Sequence, residues 1–119
     1  GRIQAERGFN DRARTYYTRA AAASRGEPGA EALYRLGALL RRAGDARGAI
    51  SELSRMTTLF AGYSEWMALG YLEQARAFAA MGELGEAVLM YETLIDFYPE
   101  RKEAETARTE KAQIEGDQE

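Results

Sequence analysis

The side chains that most often carry chemistry are missing from this 119-residue chain, which contains neither histidine nor cysteine. Without imidazole or thiol, the chain cannot build a Ser-His-Asp triad, a cysteine nucleophile, a disulfide or a His- or Cys-ligated zinc site. Carboxylates remain, and two pairs have helical spacing: Glu83 with Glu86, and Glu100 with Glu103. A carboxylate pair works as acid and base only in a desolvated cleft that drives its two pKa values apart. Both pairs fall where helices are expected to begin, and acidic residues are favoured there by the helix dipole. They read as solvated capping groups. No glycine-rich phosphate loop follows a strand, and no spacing matches a calcium loop. The expectation is therefore a protein that is not an enzyme, with no catalytic residue, metal ligand or cofactor.

The arginines are the next candidates. Residues 1–55 hold 11 Lys+Arg and 6 Asp+Glu (+5), and residues 56–119 hold 5 and 13 (−8), so the chain is basic first and acidic second. Arg12, Arg14, Arg19 and Arg25 lie near Tyr16 and Tyr17. Phosphate binding needs a coherent positive face. These four spread around their helix, and the chain as a whole is acidic, with a pI of about 5.2. No nucleic-acid partner is expected. The longest stretch without charge, Met56 to Ser64, is far short of the ~20 apolar residues that cross a bilayer.

The elements that must position these groups are helices. Alanine occurs 22 times, whereas valine and isoleucine together occur five times, a balance that favours helix over sheet. The chain also repeats itself. Gly8, Gly44 and Gly82 are each followed at +5 by Ala13, Ala49 and Ala87, and at +9 by Tyr17, Leu53 and Tyr91. At +12 come Ala20, Met56 and Leu94, and at +15 come Ala23, Leu59 and Phe97. Steps of four, three and three mark one face of an α-helix. Before the turn, Leu33, Leu36, Gly37 and Leu40 form one stripe, and Tyr71, Gln74, Ala75 and Phe78 form its counterpart. The unit is helix, glycine turn, helix. Gly44 and Gly82 suit the left-handed residue that ends a helix, and Asp45 and Glu83 stand where a carboxylate starts the next one. Gly37, Ala49, Ala75 and Ala87 are small enough to let paired helix backbones approach closely.

This pattern resembles the tetratricopeptide repeat, a unit of ~34 residues with the order W-x2-L-G-x2-Y, A-x3-F, P. The second unit reads Leu33-x2-Leu36-Gly37-x2-Leu40, then Ala49-x3-Leu53, then Ala61. The third reads Tyr71-x2-Gln74-Ala75-x2-Phe78, then Ala87-x3-Tyr91, then Pro99. Gln74 stands for the usual Leu, Ala61 for Pro, and Met56 and Leu94 for Ala. Trp66-Met67-Ala68-Leu69-Gly70 also reads W-x2-L-G, but that register would put the glycine turn near Ala77, inside an apolar stripe.

The resemblance implies an all-α, right-handed helical solenoid of about two and a half units plus a C-terminal capping helix, in one domain. Residues 1–25 would be a truncated first unit turning at Gly8. Residues 28–62 form the second unit and 63–99 the third, whose first helix is lengthened by about a turn from an N-cap at Ser64. Residues 100–114 form the polar-faced cap that a solenoid needs, and 115–119 a frayed tail.

The resemblance also implies non-catalytic protein–protein interaction through a concave groove lined by the first helix of each unit. Once the packing stripes are set aside, Glu31, Tyr34, Arg35, Ala38, Arg41 and Arg42 remain on one such helix. Trp66, Leu69, Leu72, Arg76 and Ala79 remain on the next, with Arg2 and Glu6 before them. Tyr34, Arg35, Arg41, Arg42, Trp66, Leu69, Leu72 and Arg76 are the expected partner-binding residues. Arg pairs carboxylates bidentately, and Trp, Tyr and Arg dominate binding hot spots. The expected partner is a protein segment with acidic and apolar side chains. The Lys/Asn carboxylate clamp of some family members is not carried over, because the only lysines are Lys102 and Lys111 and the only asparagine is Asn10. The alternative is a structural scaffold or self-assembly module. The ending Phe97-Tyr98-Pro99 resembles units of bacterial cell-envelope assembly proteins. The opposite charges of the two halves also predict weak, salt-sensitive self-association.

Overall fold

Gly44 and Gly82 have φ of +91° and +77°, the left-handed region that a side chain disfavours. Around each, the same two backbone bonds close a helix end. Asp45 N–H reaches Leu40 C=O at 2.8 Å and Gly44 N–H reaches Arg41 C=O at 3.1 Å; Glu83 N–H reaches Phe78 C=O at 2.9 Å and Gly82 N–H reaches Ala79 C=O at 3.0 Å. These are Schellman turns, and they set the repeat. The computed structural model describes residues 2–117, apart from the side chains of residues 2–7 and 9. Its helices are α1 (Arg2–Ala23), α2 (Glu27–Arg42), α3 (Ala46–Leu59), α4 (Ser64–Ala80), α5 (Leu84–Phe97) and α6 (Lys102–Asp117).

The pairs α2/α3 and α4/α5 are the two helix-turn-helix units. Gly37 presses on Leu53, so that a methyl group added to it would lie 2.5 Å from Leu53 Cγ. Ala49, Ala75 and Ala87 are fully buried. The small residues thus set close helix contacts, as their spacing requires. Among the described residues, Leu33, Leu36, Leu53, Met56 and Leu94 are the largest fully buried side chains, and shortening any of them to Ala costs ~2–5 kcal/mol.

The inner and outer rows of helices differ. Helices α2, α4 and α6 pack on one another in sequence, whereas the backbones of α1, α3 and α5 come close only to those of α2, α4 and α6. A row drawn together on one side and spread on the other curves the array, so α2, α4 and α6 line its concave face.

Several expectations need correction. Helix α1 runs unbroken through Gly8, so the expected first unit, residues 1–25, has no glycine turn among its described residues. A Schellman turn folds one helix back on another, and α1 instead continues straight while Tyr17 and Ala21 pack into the clusters around Leu36 and Leu33. The residues at +15 are not on the buried face: Ala23 is exposed, as are Leu59 (61%) and Phe97 (71%). At Phe60 and Tyr98 the backbone leaves the helix (φ −122°, ψ 35° and φ −134°, ψ 52°). This swings the following aromatic inward instead, leaving Phe60 buried and Tyr98 half-buried. Tyr63, not Ser64, occupies the N-cap of α4, and α4 has 17 residues against 16 in α2, so the added length is common to both helices. Asp45 Oδ1 accepts from Gly48 N–H at 2.9 Å, but Glu83 makes no side-chain cap. Helix α6 is ordered to Asp117, past the expected end at 114; residues 118 and 119 of the expected frayed tail lie outside the described residues.

Candidate functional site

The concave face divides into an aromatic part and a charged part. Between the middle of α2 and the first turn of α4, the rings of Tyr34 and Trp66 stand 5.8 Å apart, tilted by 46°. Trp66 Nε1 donates to Glu27 Oε1 at 2.9 Å. Both aromatics are half-buried, with Leu69 one turn beyond Trp66 also half-buried. Burial pushes the Tyr34 hydroxyl up, helped by the Glu73 charge and opposed by Arg42, Arg76 and Arg35.

Toward the C-terminal ends of the same helices, the arginines are engaged internally. Arg41 of α2 donates through Nε to Glu73 Oε2 of α4, and the Glu73 side chain is 3% exposed. Arg76 Nη1 reaches Glu73 Oε1 at 3.4 Å, while its Nη2 and Nε bind Glu110 of α6 at 2.7 and 3.1 Å. Tyr91 of α5 donates its hydroxyl to Glu110 Oε1 at 2.8 Å. Burial alone would raise the Glu110 carboxyl. The hydrogen bonds from Arg76 and Tyr91, with the Arg76 and Arg41 charges, outweigh it and hold the carboxyl below its ordinary value. Burial first, and then the bond to Glu110, push the Tyr91 hydroxyl well up. The Glu110 bond likewise raises Arg76 against the opposing effect of burial.

The eight expected binding residues therefore fall into four groups. Tyr34, Trp66 and Leu69 share the accessible aromatic strip. Arg35 and Arg42 are exposed beside it, and Arg35 meets Glu31 only at 3.6 Å. A recess of ≈ 240 Å³ between α1 and α2 is lined by Tyr17, Tyr34, Arg35, Ala38 and Arg42. Arg41 and Arg76 sit in the ion-pair chain rather than waiting for a ligand. Leu72 belongs to the core, 6% exposed against Ala68, Tyr91 and Leu94. It lies one position round from the expected packing stripe, in a cluster that α4 and α5 build together with Ala107 of α6. Ala38 is buried too, and the side chains of Arg2 and Glu6 lie outside the described residues.

Sequence reasoning missed Glu27, Glu73, Tyr91 and Glu110. Glu73 could have been found, because Glu73 and Arg76 have i,i+3 spacing on one helix. Glu110 could not, since its role depends on how α6 lies across α4. Glu103 also departs from expectation. It is 4% exposed rather than solvated, 3.5 Å from Arg101, because the first turn of α6 is pressed against the array. Glu83 and Glu86 are exposed, as expected. Among the described residues, no three acidic side chains converge on a point that could hold a metal ion. No helix of the described residues is long and apolar enough to cross a membrane.

A search of curated proteins returns no match to the chain. A family model does match, that of the tetratricopeptide repeat, over residues 31–62 and 70–101, more than half of the chain. Each matched segment spans one of the Schellman turns and most of the helix pair around it. With two repeats matched and six helices packed in sequence order, this chain belongs to the tetratricopeptide repeat family.

Proposed function

We propose that the protein is a non-catalytic interaction module whose concave face holds a partner segment across Tyr34, Trp66 and Leu69, with Arg35 and Arg42 pairing its carboxylates. Tetratricopeptide repeats in general mediate protein–protein interaction or scaffolding. The observation that carries the finer reading is the Tyr34–Trp66 pair. It bridges two helices, is held in place by Glu27, stays half-exposed, and has two exposed guanidinium groups beside it. Rigid aromatic anchors beside Arg have the composition of a binding hot spot. Arg41 and Arg76 fix the spacing of α2, α4 and α6, and so the shape of the face, rather than touching the partner.

Trp66 is the only tryptophan, so its fluorescence reports directly on this face. Titration with peptides that combine Asp/Glu and apolar residues is expected to change Trp66 emission saturably. Arg35→Ala and Arg42→Ala should each weaken binding about tenfold, the scale of a ~1–2 kcal/mol contact, without changing the thermal midpoint. A partner whose affinity is indifferent to Arg35→Ala, Arg42→Ala and Tyr34→Ala would rule the groove out. That result would favour the scaffold reading, which is supported by the internal use of Arg41 and Arg76 and by the Phe97-Tyr98-Pro99 resemblance to cell-envelope assembly units.

A further inference from the structure

Ala23, Leu59 and Phe97 occupy the same register position at the C-terminal ends of α1, α3 and α5, and all three are exposed. They mark an apolar row along the outer edge of the array, away from the concave face. The backbones of α1 and α3 stay apart, and a cavity of ≈ 310 Å³ opens between their C-terminal ends, lined by Ala21, Ala22, Ser24, Leu59, Arg25 and Arg55, with Phe60 also on its wall. Its walls mix apolar side chains with Ser24, and its two charged side chains, Arg25 and Arg55, are both positive. At the other end of the row, Phe97 projects with 71% of its surface exposed, and Asp96 and Glu100 beside it are exposed and negative. The edge thus reads basic hole, Leu59, acidic aromatic knob.

A row of this order is complementary to itself when reversed. We propose that two copies of the chain pair edge to edge about a two-fold axis passing near Leu59. Each copy's Phe97 enters the other's cavity, and Asp96 and Glu100 meet the partner's Arg25 and Arg55. Two-fold pairing uses both complementary contacts at once and closes on itself, as most homodimers do. Arg55 already holds Glu52 at 2.8 Å but keeps 54% of its side chain exposed, so a second carboxylate can join it. The molecule is only 20 Å thick along its shortest axis, and such an edge offers a contact near or below the ~800 Å² per partner of a standard interface. The pairing is accordingly weak and concentration-dependent, and it loosens as salt screens the outer charges.

The absence of cysteine allows a direct test, in which single cysteines are placed at exposed positions and oxidised at high protein concentration. Leu59→Cys, near the axis, is expected to give a covalent dimer several times faster than Glu105→Cys, an exposed control on α6. Phe97→Cys should be no faster than that control, because Phe97 faces the partner's cavity and not its own symmetry mate. The Ala22→Cys/Phe97→Cys double variant should cross-link rapidly. Sedimentation equilibrium should show at least a tenfold weaker dimer for Phe97→Ala and for Arg25→Glu. The Arg25→Glu/Asp96→Arg double variant should recover it. A chain that stays monomeric at millimolar concentration in low salt overturns the proposal. So does Phe97→Cys cross-linking as fast as Leu59→Cys, or a dimer unaffected by Phe97→Ala.

Discussion

Arg76 and Glu110 meet through two hydrogen bonds, Nη2 to Oε2 at 2.7 Å and Nε to Oε1 at 3.1 Å, across 34 residues of chain. The fork ties α4 to α6, and Glu73, shared between Arg76 and Arg41, carries the connection on to α2. Three inner helices are thereby joined by one chain of alternating charges, close enough to Tyr34 for Glu73 and Arg76 to act on its hydroxyl.

The first prediction separates the two kinds of groove arginine. Arg76→Ala leaves Glu73 with Arg41 alone and Glu110 with Tyr91 alone, and a buried carboxylate deprived of a partner is costly. A loss of ~2–3 kcal/mol is expected, somewhat below the full cost of breaking a buried pair because Arg41 remains. Arg42→Ala, at an exposed position, should change stability by no more than ~0.5 kcal/mol. Urea unfolding of the two variants side by side measures the difference, and equal midpoints would mean that the ion-pair chain does not support the fold.

The same network predicts a pH dependence. The Glu110 carboxyl titrates lower in the folded chain than in the unfolded one. Its contribution to stability is therefore complete above the unfolded value, near pH 4.5, and is lost as pH falls through the folded value. Glu110→Gln should be less stable than the parent at pH 7, and the gap between them should narrow as the pH falls below about 4.5. Thermal unfolding of the pair across this range tests it, and a gap that stays constant would count against the assignment.

The glycines predict three different outcomes. Gly37→Ala drives a methyl group into Leu53, itself fully buried, and overpacking of this kind costs ~1–3 kcal/mol. Ala49→Leu and Ala87→Leu should cost a similar amount for the same reason. Gly44→Ala meets nothing within 4 Å but forces a side chain to positive φ, costing ~1–2 kcal/mol. Gly85→Ala, in an exposed helical turn with nothing within 4 Å and no positive φ, should stabilise by ~0.4–1 kcal/mol. Denaturant midpoints in the order Gly85→Ala, parent, then the other two would agree; a tolerated Gly37→Ala would disprove the close contact of α2 and α3.

Gln74 gives a prediction of opposite sign. Its Nε2 donates to Ser54 Oγ at 3.1 Å, but its buried Oε1 has no partner among the described residues. An unpaired buried acceptor costs ~1–3 kcal/mol, and Ser54, being exposed, can turn to water. Gln74→Leu should therefore raise the thermal midpoint. A fall would indicate that the Gln74–Ser54 bond between α4 and α3 matters more than the orphaned oxygen.

Local rules made much of this protein legible from its sequence. Positive φ at Gly44 and Gly82 follows from where each lies between two apolar stripes, and the close helix pairs follow from Gly37, Ala49, Ala75 and Ala87 at helical spacing. Both depend on residues within one unit, and the helical period fixes which of them share a face. The role of Gly8 was not legible: the residues after it match the repeat at +5, +9 and +12, yet α1 continues through it unbroken. Nor was the burial of Leu72, or the inward turn of Phe60 and Tyr98 that leaves Leu59 and Phe97 outside. The groove shows the division most clearly. Sequence periodicity put Arg35, Arg41, Arg42 and Arg76 on the inner helices, but whether an arginine there is free or engaged depends on which carboxylate the neighbouring helix brings within about 3 Å. Glu73 and Glu110 reach Arg41 and Arg76 only because the array curves and draws α2, α4 and α6 together. Curvature is set by the summed packing of every helix on the next, and no single stretch of sequence contains it.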